Sequence, residues 1–262
     1  MKIIVLSLLI LTLSITASSQ TLFPHRLTGR GYAASFQHAV FDERFSGNTG
    51  FIATLGGAFP LPGGATLMLE LPLIQGSSHS SDVLSDEFGV GNPLIAFRVG
   101  AGANTFIDIG GRLPLANSDN LIASEIANMT DIRHFGAYTP ELLQVSAAAT
   151  IEKELSPSLV IMGRLGPSAM FHTKESSSGS LYAEYGAGIE TRVPDLAIWI
   201  SWGALTQISN TYGTDNTIDE AEIGGTYWME HTGISVRLRG PLDEYLRRTI
   251  SATYGVSLTY AP

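Results

Sequence analysis

The residues Phe51 to Leu73 read FIATLGGAFPLPGGATLMLELPL. Phe51, Ala53, Leu55, Gly57 and Phe59 share one parity, and after Pro60 to Gly64 the parity resumes as Ala65, Leu67, Leu69, Leu71 and Leu73. A period of two interrupted by a Pro/Gly cluster predicts two strands and a tight turn. Each strand has roughly ten residues, the length a tilted strand needs to cross a bilayer. One face is apolar, and the other carries Thr54, Gly56, Thr66 and Glu70. That division suits a hairpin with lipid on one side and a polar interior on the other.

Outward from this hairpin, the first nineteen residues are set aside. Lys2, the apolar run Ile3 to Leu13 and the small residues Ala17, Ser18 and Ser19 before Gln20 have the three parts of a secretory signal peptide. The division is therefore residues 1–19 as signal and 20–262 as a single domain. There is no cysteine, so a disulfide framework and a lipid-anchored N-terminus are both excluded. Beyond the signal, no run reaches the ~18 apolar residues of a membrane helix, so a membrane-embedded chain would have to be a closed barrel. The net charge of −9 excludes nucleic acid as a partner, since phosphate binding needs a clustered basic surface.

The same alternation marks further strands over about 32–41, 88–99, 105–115, 138–151, 158–171, 181–193 and 196–205. Others fall within 221–229, at 234–238 and over 249–260. Pro93 predicts a bulge in the fourth, because proline cannot donate a ladder hydrogen bond. Residues 75–87, 207–220 and 240–248 read as loops, the last with a helical turn about Leu242 to Leu246, and 116–135 is the longest irregular segment. The expectation is an all-β, antiparallel transmembrane barrel of about twelve strands, with ten and fourteen as alternatives. Connections alternate short and long, as in outer-membrane barrels with short periplasmic turns, which places both termini on the periplasmic side.

A period of two does not say which face meets water. A lipocalin-like barrel puts the apolar parity inside, and a membrane barrel puts it outside. Strand length, loop alternation, an opposed face mixing charges with glycines, and an aromatic-bearing last strand favour the membrane barrel. Thr253-Tyr254-Gly255-Val256-Ser257-Leu258-Thr259-Tyr260 resembles the terminal insertion signal of bacterial outer-membrane barrels, although Ala261 and Pro262 follow it. This implies a Gram-negative outer membrane, with lipid, lipopolysaccharide and the barrel-assembly machinery as partners.

The inward parity then carries Glu70, Arg98, Asp108, Arg112, Arg164, Glu184, Glu190, Arg192 and Arg237 as candidate lumen-lining residues, since ionisable groups at membrane depth must face water or one another. They either line a pore for small solutes or form an ion-pair network that fills a narrow barrel. His38, His172 and His231 belong to no Ser/His motif, and no metal or cofactor motif is present, so no catalytic residue, metal or cofactor is expected. Asp82, Asp86, Glu87, Asp119, Asp215, Asp219 and Glu220 lack the spacing of a calcium loop and are expected at a solvated rim.

Three short motifs carry a family resemblance: Leu71-Pro72-Leu73, Gly89-Val90-Gly91-Asn92 and Gly111-Arg112-Leu113-Pro114. In their order the chain resembles the proteobacterial outer-membrane barrels named after a meta-pathway of phenol degradation. The resemblance implies a transporter of small organic, often aromatic, compounds. The glycine motif of that family usually ends in Asp where Asn92 stands here, and Leu115-Ala116 replace the glycine expected after the second proline motif. A closed barrel with an interaction or envelope-structural role, and a soluble periplasmic ligand-binding barrel, are the alternative functions.

Overall fold

The computed structural model describes residues 30–42, 45, 47–80, 83–102, 104–174, 179–209 and 217–262. The signal-peptide reading therefore lies outside the described residues. The strands are β1 (Gly31–Phe41), β2 (Asn48–Pro60), β3 (Thr66–Ser80), β4 (Val83–Val90), β5 (Leu94–Gly102), β6 (Thr105–Arg112), β7 (Leu142–Ser156), β8 (Leu159–His172), β9 (Ser180–Val193), β10 (Leu196–Gln207), β11 (Thr217–Met229), β12 (Thr232–Pro241) and β13 (Ile250–Tyr260). Among the described residues there are two helices, α1 (Leu121–Thr130) and the single turn α2 (Glu244–Arg247), with a 3₁₀ turn over Ile132–Ala137.

All pairings are antiparallel, and β1 bonds both β2 and β13, so the sheet closes on itself. β4 and β5 both pair with β3 and form one stave broken at residues 91–93, which makes a barrel of twelve staves. Connections at one end are short, as at 61–65, 157–158 and 194–195, and those at the other end, apart from 81–82, are longer, up to 113–141. Gly63 and Gly64 sit at φ of 89° and 83°, which lets the first hairpin turn within five residues. Both Gly31 and Tyr260 lie at the short-turn end.

The apolar parity faces outward. Phe36, Leu69, Phe97, Ile109, Ile200, Val236 and Val256 are exposed large apolar residues, whereas Ser35, Thr54, Arg98, Ser201, Thr226, Ser257 and Thr259 on the opposite parity are buried. Aromatic rings gather at both rims of this band. Tyr32 meets Phe59 edge-on at 5.7 Å near the short turns, and Tyr185 meets Trp202 at 5.6 Å towards the long loops. An apolar belt with aromatic girdles is the exterior that hydrocarbon requires.

The structure corrects several boundaries. Residues 75–87, expected as a loop, are mostly ladder, because β3 runs on to Ser80 and β4 begins at Val83. Above the apolar belt a strand no longer needs apolar residues on its outer face, so the alternation disappears while the hydrogen bonds continue. For the same reason β11 starts at Thr217 and β12 ends at Pro241, beyond the expected limits, and β7 extends to Ser156. In contrast, β6 stops at Arg112 and β7 starts only at Leu142, and the intervening residues include α1 and the 3₁₀ turn rather than an irregular loop.

The orientation has a direct consequence. Val236 is 58% exposed, and its replacement by arginine would be nearly neutral on a water-facing surface. Facing mid-bilayer lipid, Val236→Arg costs about 2–4 kcal/mol. Denaturant unfolding from lipid vesicles measures the difference, and an unchanged midpoint would contradict the lipid-facing assignment.

Candidate functional site

The inward side chains form separate ionic groups rather than an even lining. Arg98 on β5 donates through Nε and Nη2 to both oxygens of Asp108 on β6, at 2.7 and 2.9 Å. Arg164 on β8 reaches the same carboxylate at 2.9 Å and holds Glu184 of β9 through Nε at 2.9 Å. One acid thus joins two arginines, and the chain of contacts runs Arg98, Asp108, Arg164, Glu184 around a third of the wall. Arg112 donates to Glu70 at 2.7 Å and to the carbonyl of Asn92 at 3.1 Å. Arg192 pairs with Glu190 on its own strand and lies 3.7 Å from Glu154. Arg237 occupies the space that Gly255 leaves open, where a Cβ would stand 2.7 Å from its Nε. Glu222, diagonal to it on β11, accepts from Trp199 Nε1 at 2.9 Å.

The largest feature of the lumen is the segment 113–141. After Leu113 N–H bonds the Pro93 carbonyl at 3.0 Å, the chain leaves the wall and α1 packs inside the barrel against β1 to β4 and β13. Its buried face, Ala123, Ile126 and Ala127, meets the inward side chains Ile52 and Ile74. The wall is recessed to receive it. A Cβ on Gly76 would lie 2.7 Å from the Ala123 Cα, and one on Gly50 would lie 2.7 Å from Ile126 Cγ2. The helix has only ten residues and no side-chain cap at its N-terminus, so this docking rather than intrinsic propensity holds it.

Asn92 pins both roots of the segment. Its Oδ1 accepts from Ala116 N–H at 2.8 Å, and its Nδ2 donates to the carbonyls of Gly136 and Thr139 at 2.9 and 2.7 Å. Its own N–H donates to Ala137 at 2.7 Å. An amide supplies an acceptor on one side and donors on the other, whereas an ionised carboxylate would set its oxygens against two carbonyls. The motifs quoted above also converge here: Gly91 N–H bonds the Pro72 carbonyl at 2.8 Å, and Arg112 bonds that of Asn92.

At its far end the segment is fastened by charge. Asp131 is wholly buried and accepts from Arg239 of β12 at 2.6 Å. Arg133 donates to Glu220 of β11 at 2.6 Å, and Arg239 lies 3.6 Å from the same Glu220. Arg239 also bonds Gln37 and the Thr130 carbonyl, both at 2.9 Å. Segment and wall each bring one acid and one base, so the knot is neutral. Burial alone would raise the Asp131 pKa, but the Arg239 guanidinium, followed by His134 and Arg133, pulls it well below the usual carboxylate range.

The sequence reading missed Asn92 as a clamp, and missed Asp131, Arg133, Glu220, Glu222 and Arg239 as a buried polar set. The inward parity of Arg239 is legible from its neighbours, but a loop partner more than a hundred residues away is not. Two acids expected at a solvated rim are corrected. Glu220 is 5% exposed inside the knot, and Glu87 accepts from the Ala123 N–H at 3.1 Å at the start of α1. Asp119 is exposed, Asp219 takes a 3.4 Å contact from Trp202 on the outer face, and Asp82 and Asp215 lie outside the described residues. The histidines stand apart: His38 Nδ1 meets the Gly50 carbonyl at 2.6 Å, His172 is exposed, and the His231 ring faces Tyr260.

Neither a protein-family model nor a curated protein sequence matches the chain. Solved structures do match in fold. An outer-membrane channel from Pseudomonas putida F1 has a TM-score of 0.61 at 14% identity, covering 88% of this chain and 94% of that one. The translocator domain of the autotransporter NalP from Neisseria meningitidis has a TM-score of 0.59 at 12% identity, covering 90% and 89%. The NanC porin has a TM-score of 0.51 at 6% identity, covering 89% and 100%. At these identities the likeness is one of architecture, the closed outer-membrane barrel.

Two outcomes test the inward segment. Asn92→Asp should cost at least about 2 kcal/mol and speed amide exchange over residues 121–137, because two buried carbonyls lose their donor; unchanged exchange would remove Asn92 as the clamp. A carboxyl with a lowered pKa stabilises the docked state fully above its ordinary value and loses that contribution progressively as pH falls from the ordinary value through the lowered one. Protection of α1 amides should therefore not fall between pH 7 and about 4, the ordinary Asp range. Protection fading near pH 5 would contradict the pairing.

Proposed function

We propose that the chain is an outer-membrane channel or transporter for small solutes, moving them through the barrel lumen without covalent chemistry. The observation that carries this reading is the placement of charge. A closed wall turns its apolar side chains to lipid and gathers arginines and carboxylates inside, where they provide a polar path with alternating sign. The architecture is shared with proteins described as an outer-membrane channel and a porin. The motifs at residues 71–73, 89–92 and 111–114 add the finer reading, small organic compounds with aromatic or hydrophobic ones among them. The signal-like start suits export. The outer belt suits bilayer lipid and lipopolysaccharide, and the alternating last strand, at the seam with β1, suits handling by the barrel-assembly machinery.

The inward-folded segment favours one other reading, a closed barrel with a structural or interaction role. Conductance separates the two. In planar bilayers the folded protein should give discrete steps, and Glu184→Gln with Glu190→Gln should shift their cation-to-anion preference toward anions by lowering the negative charge of the path. A correctly folded barrel without steps would leave the closed reading.

A further inference from the structure

We propose that the segment 113–141 is a gate, docked across the lumen at rest and withdrawn as a unit when solute passes; this rests on the channel reading. The wall is built for the docked state, since Gly50 and Gly76 are recessed under Ile126 and Ala123. Much of the fastening at the far end is ionic. Asp131, Arg133, Arg239 and Glu220 each exchange a protein partner for water on undocking, so withdrawal exposes hydrated charge on both surfaces along with one small apolar contact, Ala123, Ala127, Ala137 and Tyr138 against Ile52 and Ile74. A fixed filling of the lumen would be stable with apolar side chains alone, and buried ion pairs add little net stability over such packing. Neutral and reciprocal charges instead give a state that holds when docked and is soluble when released.

The backbone also marks a pivot. Glu141, the last residue before β7, has φ of 60°, a left-handed conformation that a residue with a side chain rarely adopts. It is held from outside the segment, its carbonyl accepting from the Thr173 N–H at 2.9 Å and its carboxylate pairing with Lys174. At the other root, 117–120 is an Asn-Ser-Asp-Asn turn, exposed over 117–119. The segment thus joins the wall through one short polar turn and one residue of strained backbone, with the Asn92 clamp between them.

The chain has no cysteine, so a lock can be introduced cleanly. An ideal Cβ at Gly89 lies 3.4 Å from the Asn120 Cβ, and one at Gly136 lies 3.7 Å from the Gln144 Cβ, both near disulfide spacing. A protein carrying Gly89→Cys, Asn120→Cys, Gly136→Cys and Gln144→Cys is compared with itself, oxidised and reduced, in planar bilayers. Oxidation should lower open-channel events at least about tenfold, the shift expected when the released state is removed from the ensemble. In an otherwise unchanged chain, Arg239→Gln should raise them by a similar factor. Equal conductance in both redox states overturns the gate and leaves the channel reading intact.

A second readout stands apart from conduction. Ala127→Cys places a thiol at a position 1% exposed when docked. Modification by a small charged thiol reagent over minutes supports withdrawal, and complete protection overturns it. Labelling without any conductance would support the movement while sinking the channel.

Discussion

In hydrocarbon a backbone N–H has no water to bond, so a sheet can cross a membrane only if its first and last strands meet. Here β1 and β13 pair from Tyr32↔Tyr260 to Val40↔Ala252 without interruption. Left open, that seam would strand enough polar groups to cost on the order of tens of kcal/mol. Closure also divides the side chains, because the pleat sends alternate residues to lipid and to the lumen. Every later property of the molecule follows from that division.

The inside must then solve a problem the outside does not have. A charged residue is costly there unless it is paired, and the structure meets much of that demand by sharing. Asp108 serves two arginines, and Arg239 serves an aspartate, a glutamine and a backbone carbonyl. Such sharing makes each group depend on partners from several strands. The inward segment joins the same economy at Asp131 and Arg133, so the contents of the lumen and the integrity of the wall are coupled.

The wall was legible because the bilayer imposes a strict period of two: β9, with Leu181, Ala183, Tyr185, Ala187 and Ile189 outward, could hardly be read otherwise. Legibility failed where the bilayer stops acting. Ser77, Ser78 and Glu87 lie in ladders above the apolar belt, and their polar run looked like a loop. It failed again for α1, whose apolar face is short and meets a surface made by distant strands. Glu220 shows both effects, since an acid near a strand's outer end reads as rim until Arg133 and Arg239 come down on it from elsewhere in the chain. Where a bulge was expected at Pro93 the stave is instead broken over 91–93, and the purpose of that break, placing Asn92 against 116–139, depends on tertiary contacts.

Which parity of the strands meets lipid fixes what lies inside the barrel and what lies outside. The most direct measurement is a nitroxide scan along β9 from Leu181 to Val193 in bilayers, reading collision rates with oxygen. Maxima at Leu181, Ala183, Tyr185, Ala187 and Ile189, with minima at Tyr182, Glu184, Gly186, Gly188 and Glu190, are the predicted result. The opposite phase, or no alternation, would contradict it.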